Sequence, residues 1–334
     1  MLTHKQRIEN AIAMKENDRT PYSMWMHFPN RDRSPRRLAE LAVGNQKKYD
    51  LDFIKFMPYG LYSTVDMGAD LDVFEGYLKA PVLHEPVIKT AADWDKIRPV
   101  CGTRGEYAVV LEAQRIAMEM MDEHVPFLQT LFSPATTMAK LCSPKTLVEH
   151  MRTAPEKVHR VLEMITDTTI QFAKAAVALG ADGFFYATQL SGRAAMETAE
   201  HEEFVKKYDL QILNAVKDCT WFNVLHLHGA QVRIDEMQDY PVQGLSWHDR
   251  DDGPTMDEVR KYSTKAFIGG LSQGENWLSK TEDQVAAEVR EMCGRPGVII
   301  GPGCVIEPHT PEKFLRLVHD TIVECGKKNC CCCK

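Results

Sequence analysis

The sequence predicts a closed parallel barrel of eight β/α units. Eight short apolar runs, rich in Val, Ile or aromatics, alternate with longer helical patterns. No G-x-G-x-x-G follows the first run, which weighs against the rival, an open doubly wound sheet with a dinucleotide fingerprint. At 334 residues, length alone suggests about two domains, but one α/β barrel with insertions reaches the same size.

In order, the expected strands cover residues 22–26, 52–56, 126–131, 182–187, 222–226, 244–247, 266–269 and 298–301. Helical patterns fall at 105–123, 155–179, 202–218, 282–292 and 311–325. Ser143-Pro144, Thr198 and Thr310-Pro311 supply a hydroxyl cap or a first-turn proline, both of which suit a helix start. Residues 60–104 hold few clear strands and are expected to form a rim insertion near the barrel mouth. A single barrel domain over 1–328 is then followed by a Cys-rich tail, 329–334, expected to be disordered.

Charge and composition exclude several roles. A net charge of −7 and a pI near 6.0 leave no basic field for nucleic acid and no polybasic cluster for a membrane surface. The opening MLTHKQRIENAIAMKEN lacks the apolar core of a signal peptide, and no apolar run nears the ~18 residues of a spanning helix. A cytoplasmic protein is expected. Its ten cysteines, six scattered and four adjacent, then suit free thiols or metal chemistry better than a disulfide framework.

In an α/β barrel the chemistry collects where strands end. His27, Arg31 and Arg33 follow the first run, and Lys55 lies within the second. Gln129 and Ser133 flank the end of the third, and Tyr186, Thr188 and Gln189 that of the fourth. His226 and His228 end the fifth, while His248, Asp249 and Arg250 follow the sixth. Ser272 and Gln273 follow the seventh, and Cys304 the eighth. Residues two apart on a strand point the same way, so His226 and His228 address one point if the strand persists. With Cys304 on a Gly-flanked loop, two imidazoles and a thiolate leave one tetrahedral position open, the pattern of catalytic zinc. Cobalt, nickel and iron accept the same donors. The plain alternative is two hydrogen-bonding loop histidines and a small apolar cysteine. In WHDR, His248 or Arg250 faces the cavity toward an anionic substrate group, or Asp249 and Arg250 pair with each other.

Over nearly its whole length the chain resembles the uroporphyrinogen decarboxylase superfamily. RIENAIAMKENDRTPYSMWMH is similar to the family's N-terminal helix and DR-x-P-v strand, GADGFFYATQ to its fourth-strand segment, and GPGCVIEPHTPEKFLRLV to its Gly-rich loop and Pro-initiated helix. The resemblance implies a single (β/α)8 TIM-type barrel. In the decarboxylase branch, two arginines of an R-Q-A-G-R-Y-like motif hold carboxylates; MHFPNRDRSP puts His27 at the first and Arg31 at the second. The decarboxylase tyrosine falls near Lys140, and the histidine of a G-H-G-M pattern on Pro302. The cobalamin-dependent branch, which includes methylcobamide:coenzyme M methyltransferases, carries zinc on an H-x-C motif and a P-G-C-G-I-like loop. The matching positions are His226, His228 in the cysteine's place, and Cys304.

The resemblance therefore implies Zn2+ on His226, His228 and Cys304, a methyl-corrinoid (cobalamin) co-substrate, and a corrinoid carrier protein over the mouth. Tyr186, His248 and Arg250 are expected to be catalytic, and His27 and Gln189 to bind the cofactor. The function so implied is methyl transfer to a small-molecule thiol or similar nucleophile activated on the metal. Two others stay open. One is a cofactor-free decarboxylase of uroporphyrinogen or a related polycarboxylate, with Arg31, Arg33, His248 and Arg250 on carboxylates. The other is a metal-carrying protein that uses the soft thiols Cys330, Cys331, Cys332 and Cys333.

Overall fold

The computed structural model describes residues 1–331 except 75, 77–78 and 274–276, with backbone alone for 328–331. The expected tail beyond residue 331 lies outside the described residues. One curled sheet holds seven parallel strands: β1 (Ile54–Phe56), β4 (Phe127–Phe132), β5 (Gly183–Thr188), β6 (Val224–Leu227), β7 (Gly244–Trp247), β8 (Ala266–Leu271) and β9 (Val298–Pro302). A small antiparallel pair, β2 (Leu71–Asp72) and β3 (Val82–Leu83), lies in the 60–104 region beside two 3-10 turns, Tyr62–Met67 and Ala91–Lys96. The described residues of that region contribute no strand to the barrel.

The first expected run does not form a regular ladder. Tyr22 and Met26 make single parallel bridges to Ile300 and Ile306. The segment is nonetheless bonded on both sides. The Ser23 N–H donates to the Ile300 carbonyl (2.9 Å), the Ile300 N–H to Pro21 (2.9 Å), and the Asp52 N–H to Tyr22 (2.8 Å). Pro21 has no N–H to extend a ladder. Residues 21–26 therefore act as an eighth stave between β9 and the start of β1.

One carboxylate anchors the foot of this stave. Asp52 is fully buried and accepts from Arg7 Nη1 (3.2 Å), Arg19 Nη1 and the Tyr22 N–H (3.0 Å). His4 Nδ1 lies 3.0 Å from the same group. The Asp18-Arg19 step of the N-terminal signature thus has a physical role: Arg19 binds Asp52, and Asp18 accepts from Arg7 Nε (2.7 Å). Helix α1 (His4–Ile12) starts with a Thr3/Gln6 capping box and buries Ile8 and Ala11 against the barrel floor.

Alternation sorts the strand side chains into two layers. Leu128, Phe185, Val224, Ile268 and Ile299 pack with Trp25 in one cluster that fills the barrel. Phe127, Tyr186, Leu225, Phe267 and Val298 belong to the other, between the strands and the helices. At Gly183 a Cβ would come within 2.0 Å of the Phe222 carbonyl, so β5 and the approach to β6 require glycine there.

Helix starts follow the expected chemistry at Ser143 but not at Thr198, nor at Thr310, whose buried hydroxyl has no partner among the described residues ahead of a helix that begins at Glu312. Ser143 caps the helix Pro144–Thr153, its hydroxyl accepting the Thr146 N–H at 3.1 Å. Thr198 does not cap the short helix Thr198–His201; Glu197 does, with Glu200 completing the box. A carboxylate suits the positive end of the helix, and the Thr198 hydroxyl instead accepts from Arg233 (2.8 Å). The last helix, Glu312–Cys331, runs past the expected end at 325. No helix among the described residues is long and apolar enough to cross a membrane.

Replacing Asp52 with alanine should remove the buried partner shared by Arg7, Arg19 and the Tyr22 N–H, leaving the two arginines only their less buried pairs with Asp18 and Asp50. Stability should fall by about 3–5 kcal/mol, read as a lower denaturant midpoint. A loss below about 1 kcal/mol would show that closure does not depend on this carboxylate.

Candidate metal centre

β6 and β7 pair in parallel, with His226 opposite Ser246. This register puts the Ser246 hydroxyl 3.2 Å from His226 Nδ1. His226 is 3% exposed, and its Nε2 is buried with no hydrogen-bond partner among the described residues. His248 follows β7 and is equally buried. Its Nδ1 lies 2.6 Å from an Asp252 carboxylate oxygen and 2.8 Å from the Gln273 amide, and its Nε2 is likewise buried and unpartnered among the described residues.

Cys304 comes from the loop after β9. Its carbonyl accepts from Trp25 Nε1, and the preceding Gly303 N–H donates to Leu271 (3.0 Å). A Cβ at position 303 would sit 3.2 Å from His248 Cα, so glycine lets this loop lie directly against the end of β7. The donor atoms of His226, His248 and Cys304 all fall within 4.8 Å of one another.

The sequence placed His228, not His248, in this trio. β6 ends at Leu227, so strand alternation stops before His228 and no longer sets its direction. His228 is partly exposed, its ring centroid 6.1 Å from that of His226 and 4.7 Å from that of His248. It stands beside the trio as a further imidazole. His248, expected to bind an anion, takes the third place.

The residues fit a zinc ion. Two buried imidazoles present bare Nε2 atoms, their Nδ1 atoms meet a hydroxyl and a carboxylate, and a thiol completes a borderline donor set. Burial, then Lys55 and the neighbouring histidines, pushes the His226 imidazolium well below its usual range. Burial and His248 hold His228 at about 4. Both rings are therefore neutral at pH 7, the form that binds metals. Burial raises the Cys304 thiol, and Lys55 opposes that rise.

Two buried amines share the region. Burial pulls Lys55 down to about 7, and Cys304 opposes the fall. Its Nζ lies 3.9 Å from the Phe185 ring centroid and 4.8 Å from that of Trp25. Burial also holds Lys140 well below its usual range, with its Nζ donating to Gly60 O (2.6 Å). His27, at the end of the stave, is held at about 4 by burial and by these two lysines. Its Nδ1 is 4.0 Å from Asp32, whose carboxyl burial pushes up to about 7. Gln189 is exposed just past β5, its N–H donating to Thr136 Oγ1 (2.9 Å).

Two expected catalytic residues face elsewhere. On β5 the interior position belongs to Phe185, which turns Tyr186 outward; its hydroxyl donates to Asp209 (2.6 Å), which also accepts from Tyr240 (3.0 Å). Arg250 is held by the Gly270 carbonyl through Nε and by Glu291 through Nη2 (2.8 Å), so its fork is engaged away from the trio. Sequence reasoning missed Asp252. The signal was present in HDRDD, where a carboxylate four residues beyond a histidine can return to it across a turn.

The profile of the Uroporphyrinogen decarboxylase (URO-D) family matches residues 3–325. The methylcobamide:CoM methyltransferase MtbA of Methanosarcina acetivorans is 22% identical, covering 97% of this chain and 98% of its own length. The methylcobamide:CoM methyltransferase MtaA of Methanosarcina barkeri is 24% identical over 86% and 84%. A uroporphyrinogen decarboxylase of Syntrophotalea carbinolica is 26% identical over 74% and 73%. Among solved structures, a methyltransferase from Methanosarcina mazei matches with a TM-score of 0.81 at 23% identity, covering 98% of this chain and 99% of that one. At that identity the likeness establishes the fold.

Zinc content after dialysis should distinguish the donors. Alanine at His226, His248 or Cys304 should remove most bound zinc, whereas His228→Ala should keep it at reduced affinity. Loss of zinc in His228→Ala with retention in His248→Ala would return the third place to His228.

The Tyr186–Asp209 contact supports two further measurements. Tyr186→Phe should cost about 1–2 kcal/mol of stability and leave turnover within about twofold; a loss beyond tenfold would return the hydroxyl to the chemistry. Burial raises the Asp209 carboxyl from 3.8 to about 6, against the pull of its tyrosine partners. Its stabilising contribution is therefore complete below about pH 4 and lost as pH rises through 6. Relative to Asp209→Asn, the wild-type chain should lose roughly 3 kcal/mol between pH 4 and 7. Parallel stability curves would contradict that assignment.

Proposed function

The chain belongs to the uroporphyrinogen decarboxylase family, and from that premise we propose that it transfers a methyl group from a methyl-corrinoid to a small-molecule thiol or similar soft nucleophile. The observation that carries this reading is the pair of buried, unpartnered Nε2 atoms beside the Cys304 sulfur. Relatives that are methylcobamide:CoM methyltransferases align over 86% and 97% of the chain.

In this proposal His226 and His248 hold Zn2+ through Nε2 and Cys304 holds it through Sγ, with His228 alongside. Zinc so bound supplies a Lewis acid that keeps an acceptor thiol deprotonated at neutral pH, where a free thiol of pKa ~8.5 is mostly protonated. Lys55 and Lys140 then favour an acceptor that arrives with negative charge, because a buried ammonium gains when an anion joins it. Trp25 and Phe185 wall Lys55 with apolar surface and exclude water from its amine. His27 and Gln189 lie toward the mouth, where the corrinoid and its carrier protein would approach.

The decarboxylase reading has less support. The position of the family's C-terminal histidine is Pro302, a strand residue with no polar side chain, and that of its first arginine is His27. The metal-carrier reading rests on side chains 330–333, which lie outside the described residues.

The test is methylcobalamin absorbance against a panel of thiols. Demethylation with at least one thiol should stop with a chelator and return with zinc. Cys304→Ala should lower kcat/KM by roughly 10²–10³-fold, the equivalent of several kcal/mol of lost activation. An unchanged corrinoid spectrum with every thiol, together with chelator-resistant decarboxylation of uroporphyrinogen, would favour the other activity of the family.

A further inference from the structure

We infer that Asp252 is a positioning residue, which acts through His248 Nδ1 to fix the tautomer and ring direction that aim Nε2 at the other two donors. The inference rests on the metal reading above. The chain turns back on itself directly after β7: the Asp252 and Gly253 N–H groups both donate to the His248 carbonyl, at 2.9 and 3.0 Å. This turn returns the Asp252 carboxylate to within 2.6 Å of the Nδ1 of the same histidine. Trp247 Nε1 donates to the Pro254 carbonyl (2.6 Å) and holds the exit of the turn.

A second segment meets the same nitrogen. The Gln273 side-chain nitrogen lies 2.8 Å from Nδ1, and the Gln273 backbone N–H donates to Asp251 (3.0 Å). Its neighbour Ser272 is tied to Glu288 by its N–H (3.2 Å) and its hydroxyl (2.9 Å). His248 is thus clamped from both the β7 turn and the segment after β8.

A carboxylate only accepts, and its charged oxygen is the closer of the two groups (2.6 Å against 2.8 Å), so Asp252 selects the tautomer that carries its proton on Nδ1, in competition with the donating amide nitrogen of Gln273. Nε2 then keeps a lone pair, as a ligand must. The contrast with His226 is chemical. The Ser246 hydroxyl beside its Nδ1 can donate or accept and so selects neither tautomer. The two histidines therefore differ in how firmly they are prepared. His248 is set before any ion arrives, and His226 adjusts.

The experiment titrates metal-free wild-type, Asp252→Asn and Asp252→Ala chains with zinc against a chromophoric chelator. Cobalt(II) absorption spectra and thermal unfolding of the metal-free chains accompany it. Both variants should bind zinc 10–100-fold more weakly and change the cobalt spectrum, with metal-free unfolding unchanged. Wild-type affinity and spectrum in Asp252→Ala would overturn the role of Asp252 alone. Weakened binding accompanied by a matching loss of metal-free stability would also overturn it, in favour of a structural role. A wild-type chain that takes up no zinc would overturn the metal reading and this inference together.

Discussion

The buried carboxylate of Asp52 is the constraint on which closure of the barrel depends. It gathers Arg7 from α1, Arg19 from the N-terminal signature and the Tyr22 amide from the eighth stave. A carboxylate in the interior needs this many donors, since an unpaired charge there costs several kcal/mol. The same requirement fixes where the stave begins. Three residues beyond Tyr22 the effect reaches the mouth: Trp25 holds the Cys304 carbonyl through its indole, and its own carbonyl accepts the Ile306 N–H (3.0 Å). A network at the foot of the barrel thus sets the height of a sulfur at its top.

The centre combines uncharged imidazoles with reluctant cations. Burial keeps His226 and His228 uncharged and makes the ammonium forms of Lys55 and Lys140 costly. Under the function proposed above, a site of that character would favour an anionic acceptor over a cationic one, and its apolar surroundings would strengthen that preference. The three clustered side chains arrive from β6, the β7 turn and the β9 loop; β6 and β7 are neighbours in the sheet, and the β9 loop reaches them across the end of β8, where the Gly303 N–H donates to Leu271.

Much of this was legible residue by residue. Apolar runs marked seven strands to within a few residues, because a short buried strand between turn signals has few other readings. The stave at 22–26 was equally visible, although its irregular pairing was not: Pro21 announces a missing donor but not the partners around it. His226 and Cys304 could be selected from the strand-end rule and from the resemblance. Asp252 escaped notice because its contact with His248 depends on a turn, which spacing permits without requiring.

What the sequence determined by itself was local: the period of each run, the chemistry of the caps, and the residue types stationed at strand ends. The tertiary structure decided direction. Tyr186 turns outward because Phe185 takes the interior, and His228 yields to His248 because β6 stops one residue early. Both outcomes depend on strand register and strand length. Those are set by hydrogen bonds and packing between segments far apart in the chain, and no local pattern encodes them.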